Sequence, residues 1–203
     1  MNIFNRFIKQ LPSKPEQYFA YLIIGALCII LFAVDSFFNH QAYHYLAFER
    51  EGFNKYEYWR GLSAHLLHTN IWHLMLNLLG LLLLWLLHGD YANSRRLFLQ
   101  CIVLGVGISA SIYLFAPNVI WYVGLSGILH GLFVIGAIID IQKKRASGYL
   151  LLAGVIIKIV DEQLSEPDAK LQALIQANVV IEAHLYGIIL GFVVGLAIVF
   201  KKK

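Results

Sequence analysis

The sequence predicts an all-α integral membrane protein: one domain over residues 1–203, built as a bundle of six transmembrane helices with both termini cytoplasmic. Three observations lead there. Apolar residues make up 59% of the chain and charged ones only 14%, against about a quarter charged in soluble domains. Six apolar stretches stand out, at about 18–34, 64–87, 97–116, 121–141, 147–160 and 179–200, most of them near the length that ~30 Å of hydrocarbon demands. The basic residues gather at the ends of these stretches and, with six spans, fall on one side.

The first stretch starts late, runs long and lacks a small-residue cleavage site, so it reads as a span and not a cleaved leader. Arg6, Lys9 and Lys14 precede it. Residues 35–60, "DSFFNHQAYHYLAFEREGFNKYEYWR", are too apolar for a linker and too polar to span. They are expected to fold as a structured outer loop partly sunk in the interface, where Tyr and Trp are favoured. Arg95 and Arg96 separate the second and third stretches, Lys143, Lys144 and Arg145 the fourth and fifth, and Lys201, Lys202 and Lys203 follow the sixth. With the three at the start, these are 11 of the 16 basic residues. The positive-inside rule makes their side cytoplasmic. The fifth stretch is short and contains Lys158. The acidic run after it, "DEQLSEPDAK", falls on the opposite side, within 161–178. The net charge of +4 is thus explained by topology, and no nucleic-acid partner is implied; the partner is the lipid bilayer. Cys28 and Cys101 lie in different apolar stretches and read as small buried hydrophobes.

Polar groups inside spans are functional candidates, since an unpartnered one costs several kcal/mol or thereabouts in hydrocarbon. Three places qualify. In "HLLHTNIWHLMLN", residues 65–77, His73 and Asn77 are four apart on one helix face, and His68 is placed further up the same helix. Two neutral donors on one face suit a developing oxyanion; hydrogen-bonded glue between helices is the alternative. In "GLSGILHG", residues 124–131, Ser126 lies between Gly124 and Gly127 at a helix start, where free N–H groups also face any anion. The alternative there is a small-residue packing surface. In "EAHLYGIILG", residues 182–191, His184 precedes Gly187 and Gly191, whose spacing lets the helix press against a partner. Ser126 and His184 each fall about five residues in from the outer end of their stretch, some 7–8 Å deep at ~1.5 Å per residue. Equal depth is a requirement for a Ser–His pair.

Taken in order, WR at 59–60, H-x-x-x-N at 73–77, GLSG at 124–127 and A-H-x-x-G-x-x-x-G at 183–191 resemble the rhomboid intramembrane serine proteases. The resemblance covers residues 59–191 and the six-helix layout. It implies a serine endopeptidase without cofactor or metal. Ser126 would be the nucleophile and His184 its general base, with no third, acidic member. His73, Asn77 and the Ser126 N–H would form the oxyanion hole, with Gly124 beside it. Trp59 and Arg60 would brace the outer loop, and His68 would be a further polar position near the cavity. The fifth span would be the mobile element through which substrates enter.

Two positions depart from the family. His130 stands where most members carry a Tyr that packs on the catalytic His. It could replace that Tyr as packing partner, tune His184, or itself be the base. Val179 stands where a small residue is expected, so the last helix is expected to cross its neighbour more loosely. The form GLSGxLHG looks like the rhombosortase branch. That implies membrane-anchored protein substrates with a C-terminal sorting tail, made of a Gly-Gly site, a transmembrane helix and a basic end. It also implies a bacterial inner-membrane enzyme whose site opens to the periplasm. Two rivals stand beside this reading. A metal site could draw on His65, His68, His73, His130 and His184, but the zinc-protease pattern H-E-x-x-H is absent. An inert rhomboid-like protein would bind and retain membrane helices; such proteins lose the Ser or the His, and both are present here. Oligomeric state is left open, as is the choice between hydrolysis and transfer to another amine.

Overall fold

The computed structural model describes residues 12, 14–38, 41–166 and 168–201. Arg6, Lys9, Lys202 and Lys203, used above for orientation, lie outside them. The first helix, α1 (Pro15–Phe37), opens with Pro at its first position, where the missing N–H costs nothing. Near its end the buried carboxylate of Asp35 accepts the Ala42 and Tyr43 N–H groups at 2.9 and 3.3 Å. This starts α2 (Gln41–Leu46), which is followed by strand β1 (Phe48–Glu49), α3 (Arg50–Asn54), α4 (Arg60–Ser63) and a 3-10 turn, Ala64–Leu66.

Trp59 and Arg60 tie this segment down. Arg60 is buried, with Nη1 donating to Ala47 O at 3.0 Å and Nη2 to His44 O at 2.8 Å, while Nε meets Glu57. Trp59 Nε1 donates to Tyr45 O at 3.1 Å. The WR pair thus pins α2 and the residue before β1 to α4, the bracing the resemblance implied.

Helix α5 (Ile71–His88) begins later than the apolar run, because Asn70 caps it by accepting the His73 N–H at 2.9 Å. Residues 64–70 are therefore turn and loop, and His68 precedes the helix instead of lying on it. A 3-10 turn, Gly89–Tyr91, leads to α6 (Ser94–Phe115), capped by Asn93. The C-terminus of α6 is closed by Arg50, whose guanidinium donates to Ile112 O, Tyr113 O, Ala116 O and Val119 O at 2.7–3.2 Å. A cation there satisfies orphan carbonyls and meets the negative end of the helix dipole. Arg50→Ala is expected to destabilise the fold by about 2–3 kcal/mol, read as a lower melting temperature in detergent; an unchanged midpoint would refute this role.

Strand β2 (Trp121–Tyr122) pairs antiparallel with β1, Phe48 opposite Tyr122. This two-stranded ribbon is a departure from all-α, and it takes the first residues of the expected fourth span. Gly124, at φ 125°, then turns the chain into α7 (Ser126–Gln142), so the helix starts at 126 and not at 121. Next come α8 (Ala146–Leu164), α9 (Ala169–Ile175) and α10 (Ile181–Phe200). Residues 161–178 thus hold the end of α8 and a short helix capped by Asp168.

The chain is mostly helical. Among the described residues α1, α5, α6 and α10 are long and apolar enough to cross a membrane. The 17-residue α7 is apolar but shorter, and α8 carries Lys158, Asp161 and Glu162. Large apolar side chains point outward, among them Leu22, Ile30, Val106 and Val193, a pattern suited to lipid and not to water. The core runs along α7, where Ile128, Leu129, Leu132 and Ile135 pack on Leu81 and Leu84 of α5 and on Leu104 and Ile108 of α6.

Against the other side of α7 lies α10, backbone to backbone. A Cβ on Gly131 would come 2.8 Å from Gly187 O, one on Gly191 2.5 Å from Gly131 O, and one on Gly127 2.9 Å from Ala183 O. The crossing is therefore tight, and the looser one expected from Val179 does not occur. Val179 precedes α10 altogether, so its bulk never enters the contact.

Helix α8 is held unevenly. Its N-terminal end is locked: Gly148 sits against Ala137 O of α7, Ser147 Oγ donates to Asp140 at 3.1 Å, and Arg145 pairs with Asp90 at 2.5 Å. Further along only Val155 and Ile159 are buried, in a small cluster with Val134, Ile138 and Ile188.

Candidate active site

A cavity of about 510 Å³ lies between α5, α7, α8 and α10, lined in part by His73, Asn77, Ser126, His130, Glu162 and His184. Ser126 is the first residue of α7 and His184 the fourth of α10. The glycine crossing brings these helix starts together, and Ser126 Oγ lies 2.8 Å from His184 Nε2. On the far side of the ring, His184 Nδ1 lies 2.9 Å from Glu162 Oε2. A carboxylate only accepts, so Nδ1 carries the proton; in the neutral ring Nε2 is then bare and accepts the Ser126 hydroxyl. Glu162 also meets Lys158 one helical turn earlier.

His130 does not reach the hydroxyl. Its Nδ1 donates to Ser126 O at 2.8 Å, along its own helix. Its ring stacks on that of His184, with centroids 4.3 Å apart and planes 21° from parallel.

His73 presents its other edge to Gly124. Thr69 N–H donates to His73 Nδ1 at 3.4 Å, and Thr69 Oγ1, whose own hydrogen goes to Ile175 O at 2.6 Å, lies 3.1 Å from the same nitrogen. In the tautomer where Nδ1 accepts from that N–H, Nε2 carries the proton. A Cβ on Gly124 would sit 2.8 Å from His73 Nε2 and 3.9 Å from Ser126 Oγ. The absent side chain leaves the space between the two groups open, and its positive φ is one that glycine tolerates. Asn77 is less free than its spacing suggested: Nδ2 donates to His73 O at 2.9 Å, which leaves one of its two hydrogens.

His68 is fully buried, edge-on to His73 with centroids 5.0 Å apart, and neither of its nitrogens has a protein partner among the described residues. Lying ahead of α5 and cut off from solvent, it is held below the ordinary imidazole range by burial.

Two roles escaped the sequence reading: that of His65, weighed there only as a metal ligand, and that of Glu162. His65 holds Gly105 O and Ser109 Oγ with Nε2 at 3.0 and 3.1 Å, and Tyr122 OH lies 3.2 Å from its Nδ1. Tyr122 in turn donates to Gly124 O at 2.6 Å, which steadies the loop in front of Ser126. Glu162 was placed in an acidic outer run. The signal that it belongs to a helix was Lys158 four residues before it, an ion-pair spacing at the end of an apolar stretch.

The donors of His130, Glu162 and His184 lie within 4.8 Å of one another, a grouping that could hold a metal ion. Glu162 and His184 already bond each other, however, and stacked imidazoles send their in-plane lone pairs side by side instead of to one point. His65 is engaged elsewhere, and of the five histidines weighed from the sequence only His130 and His184 fall in this grouping.

A family model, the rhomboid domain, matches residues 55–201. No curated protein matches the chain.

Proposed function

The chain belongs to the rhomboid family, multi-pass membrane proteins that are in general intramembrane serine proteases, and from that premise we propose that it cuts membrane-anchored proteins with Ser126 as nucleophile and His184 as general base. The observation that carries this is the 2.8 Å contact between Ser126 Oγ and His184 Nε2, with the proton held on Nδ1.

The steps follow from that geometry. Ser126 Oγ attacks the scissile carbonyl carbon while its proton passes to His184 Nε2. Charge develops on the carbonyl oxygen, in the gap that Gly124 leaves beside His73. The Ser126 N–H, one of the free donors at the start of α7, and His73 Nε2–H are the groups to receive it, with the remaining Asn77 hydrogen. As the tetrahedral species collapses, the His184 imidazolium gives its proton to the departing amine and an acyl-enzyme remains. Water entering the cavity releases it by the reverse proton path; another amine could take the acyl group in the same way. His130, stacked on His184, is read as its packing partner, the place other family members fill with Tyr.

In this reading α7 and α8 complete a six-helix bundle with both termini cytoplasmic, and the cavity opens to the periplasmic face of a bacterial inner membrane. The weakly held outer part of α8 is the substrate entrance. The form GLSGILHG supports the rhombosortase branch and with it C-terminal Gly-Gly sorting tails as substrates.

The test is co-expression with an exported reporter carrying such a tail. Wild type is expected to remove the tail and free the reporter, and Ser126→Ala to leave it anchored. Equal cutting by the Ser126→Ala variant would overturn the nucleophile. A reporter that stays bound and whole with wild type would favour an inert helix-binding protein.

A further inference from the structure

Building on the protease reading, we propose that Glu162 is a positioning residue that turns the family's Ser–His pair into a triad, and that it is delivered by the substrate gate itself. The resemblance led to the expectation of no acidic member; the 2.9 Å contact between Glu162 and His184 Nδ1 is the departure.

The geometry is what a general base needs. Glu162 accepts the Nδ1 proton, so it selects the tautomer with Nε2 bare toward Ser126 Oγ, and it faces the positive charge that appears on the ring when the hydroxyl proton arrives. No bond to Glu162 forms or breaks, and the proton stays on Nδ1 throughout. Glu162 and His184 are held at different depths of commitment. His184 is anchored by the backbone-close crossing of α10 on α7. Glu162 stands on α8, whose N-terminal end is locked at Gly148 and Asp140 and whose C-terminal part is held by the buried Val155 and Ile159, by a 3.4 Å donation from Gln163 Nε2 to Ile181 O and by the Glu162 contact itself.

A swing of α8 about its N-terminal end would admit a substrate helix and draw Glu162 off His184. Lys158 rides on the same helix and keeps the carboxylate paired while the gate is open. Closure returns Glu162 to Nδ1. The base is then fully oriented only when the gate is shut behind the substrate, which keeps the nucleophile less active while the cavity stands open to lipid.

The experiment uses the full chain in detergent, with kcat and KM measured on the Gly-Gly tail substrate and Ser126 labelling measured with a small fluorophosphonate. In proteases of unrelated fold the loss of such an acid lowers kcat on the order of 10⁴-fold; here the His130 stack also fixes the ring, so Glu162→Gln is expected to cost about 10–100-fold. The loss should fall on kcat with KM within about twofold, since the group acts on the transition state and not on substrate binding. Labelling should fall by the same factor, and Glu162→Asp should recover part of it.

Glu162→Gln with wild-type kcat and labelling would overturn the inference and leave the protease reading intact. A rise in KM alone would make Glu162 a substrate contact and overturn it as well. Equal losses in Gln and Asp, matched by equal drops in melting temperature, would reduce it to a structural role. If wild type itself neither cuts nor labels at Ser126, the protease reading falls and this inference with it.

Discussion

Alanine at position 184 is expected to abolish tail release, a loss of about 10³-fold or more, while alanine at 130 leaves activity reduced by about an order of magnitude. The two imidazoles stack face to face, so composition and position along the helix do not separate them. Their hydrogen bonds do. His184 Nε2 holds the Ser126 hydroxyl, and its opposite nitrogen is fixed by Glu162. His130 Nδ1 is spent on the Ser126 carbonyl, and the ring touches the reaction only through His184. Removing it takes away a stacking surface and some orientation of the base, and no proton acceptor for the hydroxyl. The check is tail release together with fluorophosphonate labelling of each variant at matched folded protein. A dead His130→Ala beside an active His184→Ala would reverse the assignment.

Gly187→Leu is expected to cost at least about 100-fold in activity and to lower the melting temperature, although residue 187 touches neither Ser126 nor His184 in the proposed chemistry. The reason is the α7–α10 crossing. A Cβ at 187 would run directly into the Gly127 carbonyl, and main chain cannot rotate aside as a side chain can. Overpacking a core costs about 1–3 kcal/mol where side chains yield; here the helices must part. Ser126 follows Leu125 at the head of one helix and His184 rides near the head of the other, so any separation opens the 2.8 Å contact between them. A displacement of about 1 Å at a reacting pair can cost on the order of 100-fold. Labelling of Ser126 in the purified variant, alongside its unfolding midpoint, gives both quantities. Wild-type labelling in Gly187→Leu would mean that the crossing does not set the dyad distance.

Much of this was legible in the chain because it is carried by local periodicity. Long apolar runs, basic residues at their ends and the four-residue spacing of His73 and Asn77 need no knowledge of what packs where. The glycines at 187 and 191 announced a close crossing; the equal depth read for Ser126 and His184 was counted from stretch starts that lie ahead of both helices, which begin at 126 and 181, so the crossing and not that count brings the pair together. The family resemblance rested on the same short patterns and is met by the match over residues 55–201. Where hydropathy ran on without a break, it misled. The run from 64 merged a turn, a loop and a helix, because the polar break His68-Thr69-Asn70 that precedes α5 is too short to interrupt an apolar stretch. The run from 121 hid a strand and a glycine turn for the same reason.

What the tertiary structure alone decided are the partners that lie far apart in sequence. Arg50 closes a helix that ends 65 residues later, at Phe115; Tyr122 steadies its loop against His65; Glu162, which read as one more solvated acid, turns inward to His184 across 22 residues. A sequence pattern reports which face of a helix is apolar, since the 3.6-residue turn is built into the chain. It does not report which polar group that face will meet, because that depends on how helices cross, and here the crossing is set by backbone contact between glycines that carry no side chain to read.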